Sequence, residues 1–74
     1  MVTAYVLVVT EVGKEFEVIK KLKSIKSVEE VSAVYGEYDI FAKFVVSDLK
    51  ELDSVVTEIR KIQNIIRTIT LISS

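Results

Sequence analysis

The 74-residue sequence has no cysteine, histidine, proline or tryptophan, and only two glycines. Without cysteine there is no disulfide and no thiolate nucleophile, and without histidine no imidazole for acid–base work near neutral pH. Together these absences remove every zinc ligand set except a carboxylate cluster, and most enzymatic functions go with them. No charge of one sign dominates: 10 basic and 11 acidic residues are scattered along the chain for a net charge of −1. That balance leaves no electrostatic footprint for a phosphate backbone and argues against direct nucleic-acid binding. The apolar start, MVTAYVLVVT, is too short to span a bilayer, has no basic flank and carries no small-residue cleavage site. No membrane partner and a cytoplasmic location are expected.

What is abundant is hydrophobic side chain, at 50% of residues with a mean hydropathy of +0.41. A chain of this length forms one domain, residues 1–74, and buries only about 60% of its unfolded surface when it folds alone. Such hydropathy in so small a domain predicts apolar surface buried against a partner.

Val2 to Thr10 is β-branched, aromatic or small apart from Leu7, the pattern of a strand buried on both faces. After a break at Gly13, Phe16, Ile19, Leu22 and Ile25 recur at helical spacing, predicting an amphipathic helix from Glu15 that ends near Lys26 or Ser27. Val31, Ala33 and Tyr35 alternate as a second strand. Gly36-Glu37 then has the form of a two-residue type II′ turn into a third strand, Tyr38 to Val46. Asp48 and Glu51 have capping-box spacing, Leu49, Leu52, Val55, Val56, Ile59 and Ile62 mark a second helix, and Asn64 suits a left-handed cap. IIRTITLIS closes the chain as a fourth strand. The segments LKSIKSVEEV and IRKIQNIIRT echo each other at the same place in each half. The order is therefore βαββαβ: an α+β, ferredoxin-like sandwich, with a four-stranded antiparallel sheet and both helices on one face.

The hairpin register sets Tyr35 opposite Tyr38, so Val31, Ala33, Ile40, Ala42 and Phe44 share the helix side. The other side holds Ser32, Val34, Asp39, Phe41, Lys43 and Val45, joined either by Tyr5, Leu7 and Val9 or by Ala4, Val6 and Val8. Either set leaves an aliphatic stripe that no helix of the chain covers, which predicts a face-to-face dimer.

Glu37 and Asp39 flank Tyr38, and carboxylates beside open backbone groups at a hairpin can receive an ammonium; solvated turn acids explain them equally. Thr68 and Thr70, two apart on a strand, point to one face and can meet a carboxylate or amide, or simply reflect the β-propensity of threonine. There is no Gly-rich phosphate loop and no serine or threonine beside an activating base. No cofactor or metal is expected, and no catalysis.

YGEYDIFAKF, followed by LKELDSVVTEIRKIQNIIRTIT, resembles the amino-acid-binding regulatory module of the leucine-responsive regulatory protein and AsnC family of transcription factors. The shared pattern is a Gly-x-Tyr-Asp hairpin, here Gly36-Glu37-Tyr38-Asp39, and a Thr-x-Thr strand, here Thr68-Ile69-Thr70. The resemblance implies sheet-to-sheet dimers that in the family assemble into larger rings, and a free amino acid bound between dimers; whether this chain stops at two or builds octamers or decamers is left open by its sequence. Carried over by position, Glu37 and Asp39 meet the ligand's amino group or a basic side chain. Thr68 and Thr70 contact it from the last strand, and backbone around Tyr35, Gly36 and Tyr38 completes the site. In that family a DNA-binding helix-turn-helix usually precedes the module. Here the first strand starts almost at Met1, so a stand-alone, self-assembling effector-binding module is expected; the alternative is a pure interaction module that forms mixed oligomers with full-length family regulators. An ACT-type regulatory domain has the same element order but carries its glycine signature after strand 1, where this sequence has only Gly13.

Overall fold

The apolar run at the start of the chain becomes strand β1 (Val2–Thr10), which is followed by α1 (Glu15–Lys23), β2 (Val28–Ala33), β3 (Ile40–Val46), α2 (Leu49–Arg60) and β4 (Ile65–Ser73). This computed structural model describes residues 1–73. The strands lie in the order β2-β3-β1-β4, and every neighbouring pair is antiparallel. This is the ferredoxin-like arrangement expected, with β1 and β3 at the centre.

Alternation along the two central strands sorts the core. Ala4, Val6 and Val8 from β1 and Ile40, Ala42, Phe44 and Val46 from β3 are each at most 1% exposed. Val18 and Leu22 of α1 and Leu52, Val55 and Ile59 of α2 close over them. The set on the open side is therefore Tyr5, Leu7 and Val9, settled by the pairing of Tyr5 with Lys43 and Leu7 with Phe41.

Four expectations about local structure need correction. α1 ends at Lys23, short of Lys26, and Val18 fills the inner position while Phe16 is 79% exposed. A single turn cannot bury both, because residues two apart lie on opposite sides of a helix. Leu49, expected inside, stands at the first turn of α2 with 62% of its surface exposed. Asn64 is left-handed, with φ +73°, but lies in the turn before β4 rather than at the helix cap, and its carbonyl accepts from Glu11 N–H at 2.9 Å. The fourth correction, at the hairpin, bears on the site. The two internal echoes do form the same turn: Ile25 N–H donates to Leu22 C=O at 3.1 Å and Ile62 N–H to Ile59 C=O at 3.0 Å.

The start of α2 shows how the capping box is used. Asp48 Oδ1 accepts from Glu51 N–H at 2.8 Å, while Glu51 Oε1 reaches one residue further back, accepting from Ser47 N–H at 2.8 Å. The Ser47 hydroxyl bonds the same oxygen, and Ser27 Oγ donates to Glu51 Oε2 at 3.0 Å, tying the turn before β2 to this helix end. The Ser47 backbone bond, helped by the two serine hydroxyls, holds the Glu51 carboxyl below the usual glutamate range.

Candidate functional site

Pairing between β2 and β3 stops at Ala33 and Ile40, and one more backbone bond, Val34 N–H to Asp39 C=O at 2.9 Å, closes the loop 34–39. The register is the one expected for Tyr35 opposite Tyr38, but the tight two-residue turn does not form and β3 begins two residues late. Asp39 gives the physical reason. Its N–H donates to Val8 C=O at 2.9 Å and its Oδ2 accepts from Thr10 N–H at 2.9 Å, so its N–H and side chain are fastened to β1 while only its carbonyl meets the residue that follows β2. The chain from Tyr35 to Tyr38 is left to bow outward, and Gly36 supplies the bend at φ +123°, where an L side chain is strained.

The bow makes one wall of an open groove of about 290 Å³. Tyr35, Gly36 and Asp39 line it together with Ala33 and Val34, and α1 adds Glu15 and Phe16. Asp39 Oδ1 has no protein partner among the described residues, so that carboxylate can still accept while its other oxygen holds the strand end. The groove thus offers two carboxylates, two exposed aromatic rings and loop backbone groups that the sheet does not use. Glu37 is exposed at the loop tip outside this lining. Tyr38 is half-buried, with the Arg67 guanidinium 5.9 Å from its ring centre. Glu15 and Phe16 were not expected here; the one sequence signal was that Phe16 and Val18 compete for the inner face of the same helix turn.

Thr68 and Thr70 do share a face, but they lie away from the loop. They pair with Val8 and Val6, which places them on the helix side of β4 at the opposite edge of the sheet. From Ile40 across β1 to Thr68 is two strand spacings, about 10 Å. Thr70 lines a different groove, of about 340 Å³, with Leu49, Leu52, Asp53, Val56, Arg60 and Ile72. Among the described residues the loop and Thr70 line separate grooves.

The remaining feature is the open face. Tyr5, Leu7, Val9, Phe41, Val45, Ile69 and Leu71 are all half-buried or exposed, and Tyr5 and Phe41 stack with ring centres 6.0 Å apart. Among the described residues no helix lies over them.

The profile of the Lrp/AsnC ligand binding domain matches residues 3–74. The chain belongs to the Lrp/AsnC ligand-binding family. This Lrp/AsnC chain is 48% identical to a hypothetical protein from Pyrococcus horikoshii of known crystal structure, covering 100% of this chain and 90% of that one with a TM-score of 0.94. It is 27% identical to AsnC of E. coli over 97% of its own length but 50% of that chain, with a TM-score of 0.89. A feast or famine regulatory protein from M. tuberculosis, complexed with L-methionine, is 23% identical, covering 99% of this chain and 50% of that one at a TM-score of 0.82, a likeness of fold alone. Among curated proteins no match is found. Among the described residues no helix is long and apolar enough to cross a membrane.

Proposed function

We propose that this Lrp/AsnC module is a non-catalytic, cytoplasmic sensor that takes a free amino acid at the hairpin end of its sheet and assembles with further copies through its open face. The observation that carries the proposal is the groove itself, built where strand pairing stops. Loop backbone groups released from the sheet stand there beside Asp39, Glu15 and, at the tip, Glu37. An ammonium finds acceptors in the free oxygen of Asp39 and in Glu37, and a carboxylate finds N–H donors in the loop; such bonds are stronger when charged and when dry. The groove is open to water on one side. A neighbouring copy laid over it supplies the missing wall, and Thr68 and Thr70 enter the site only if that copy contributes them; the site proposed for a single chain is confined to residues 34–39 and the start of α1. The L-methionine of the M. tuberculosis protein lends the ligand class, a free amino acid, without fixing its side chain.

A ligand seated between copies binds the assembled form better than the separate one, so occupancy shifts the assembly equilibrium. This is a means of regulation without chemistry, and it suits a chain with neither histidine nor cysteine. A second reading, that the chain forms mixed assemblies with full-length regulators, is favoured by its match to half of AsnC: the same open face on both proteins would let them pair.

Thermal unfolding measured with each free amino acid tests the proposal. At least one is expected to raise Tm, and Asp39→Asn is expected to abolish that shift while leaving the ligand-free Tm nearly unchanged, because asparagine Oδ1 still accepts from Thr10 N–H. Silence across the whole set, with the oligomer intact, rejects sensing.

A further inference from the structure

The two edges of the sheet are built differently. β2 is six residues long, VEEVSA, with Glu29 and Glu30 exposed and its register shifted between Val28 and Glu30. Short length, like charges and a bulge are what keep an edge strand from pairing. β4 has none of these protections beyond its first residues. It runs nine residues, IIRTITLIS, with one charge, and its register against β1 is regular from Arg67 to Ser73. A straight, β-prone, nearly uncharged edge without proline is a template for another strand.

α2 indicates which strand. Leu49, Asp53, Val56 and Arg60 follow one another at intervals of four, three and four along the flank of the helix and overlook Thr70 and Ile72. Leu49 is 62% exposed and Ile72 55%. Neither Asp53 nor Arg60 has an ion partner, the one ion pair among the described residues being Lys14 with Glu17. β3 and β4 are both antiparallel to β1, so α2, which joins them, runs back against β4. Leu49 and Ile72 mark a common end of the groove. From there a helix rise of about 1.5 Å per residue brings the midpoint of Asp53 and Arg60 ~11 Å along, level at about 3.3 Å per strand residue with Ile69.

We infer that the outer edge of β4 pairs antiparallel with β4 of a second copy, about a two-fold axis near Ile69, to make a continuous eight-stranded sheet. The axis sets Thr68 opposite Thr70 of the second copy and Arg67 opposite its Leu71. It also brings Asp53 of each α2 to Arg60 of the other and covers Leu49 and Ile72. A foreign extended peptide would satisfy the strand edge but brings no second helix to face Asp53 and Arg60, whereas a reversed second copy brings both strand and helix. The inference goes beyond the amino-acid proposal and does not rest on it, since the hairpin groove lies at the other edge. With the open face as one two-fold contact and β4 as another, copies build closed rings of dimers or open chains.

Cross-linking tests this cleanly because the chain has no cysteine of its own. Directly opposed strand residues lie at about 4.5–5.5 Å between Cα atoms, within disulfide range. A mixture of Thr68→Cys and Thr70→Cys chains is expected to form disulfide-linked dimers under mild oxidation, with several-fold less from either variant alone. Adding Asp53→Arg to both chains sets like charges opposite one another; it is expected to abolish the cross-link and lower the light-scattering mass at least twofold. Asp53→Arg with Arg60→Asp restores both. Leu7→Glu, on the open face, disturbs the other contact and leaves the cross-link in place. Absence of the mixed cross-link at any protein concentration, or its persistence in Asp53→Arg, overturns the inference.

Discussion

The two faces of the sheet are made of the same kinds of residue and end in opposite states. On one, Val6, Val8, Ile40 and Phe44 are at most 1% exposed beneath two helices. On the other, Tyr5, Leu7, Val9, Phe41 and Val45 stand at the same strand positions, one residue out of phase, and remain half in water. β1 is apolar in both phases, yet among the described residues helices cover one side of it; the other side is the face assigned to the proposed assembly. Burying each side chain of the open set is worth roughly 1.5–3 kcal/mol before association costs. That is the driving force open to a second sheet in the proposed assembly.

The contrast can be broken most severely on the covered side. Phe44→Ala is expected to remove about 3–5 kcal/mol, most of the stability of so small a domain, and to show as a collapse of the urea midpoint. The matching change on the open side, Phe41→Ala, should leave the fold standing and weaken assembly instead. Leu7→Glu sharpens this further: the light-scattering mass falls as the open-face contact is lost, down to that of the pair joined through β4, while far-UV circular dichroism is unchanged. Two smaller effects belong to neither face, and the second of them, away from the proposed groove, serves as a control whose oligomeric mass should not move. Gly36→Ala, at φ +123°, is expected to cost about 1–3 kcal/mol although nothing lies within 4 Å of the added carbon, the penalty being backbone strain. Glu51→Gln should have the smallest effect, and it should depend on pH. The folded pKa of Glu51 lies below its unfolded value, so its contribution is present at neutral pH and is lost as pH falls through the lowered pKa. The gap in Tm between the native chain and the variant is therefore present above the ordinary glutamate range and closes in acid.

Periodicity carried most of the fold. β1 ends where its apolar run ends, the central strands sort by alternate residues, and Asp48 caps α2 as its spacing to Glu51 suggests. The site was less legible. Gly36-Glu37 has the local chemistry of a tight turn, and what prevents one is Asp39 bonding to Val8 and Thr10, contacts 29 or more residues away in sequence that leave no local trace. Phe16 at helical spacing looked like core, and only packing shows Val18 taking its place and Phe16 facing the groove. Thr68 and Thr70 share a face, as a strand requires, but their distance from the loop follows from strand order, which separates β4 from β3 by the width of β1. Local pattern fixes which side of a strand a residue takes; which other segments lie across from it is decided by the whole sheet.

The most direct test of the central claim is the mass of the purified chain in dilute solution, by light scattering or sedimentation, with and without amino acids. A mass of at least two chains of 8.4 kDa each, shifted further by a stabilising amino acid, is predicted. A well-folded monomer that stays monomeric as concentration rises, its open face in water, would contradict the account.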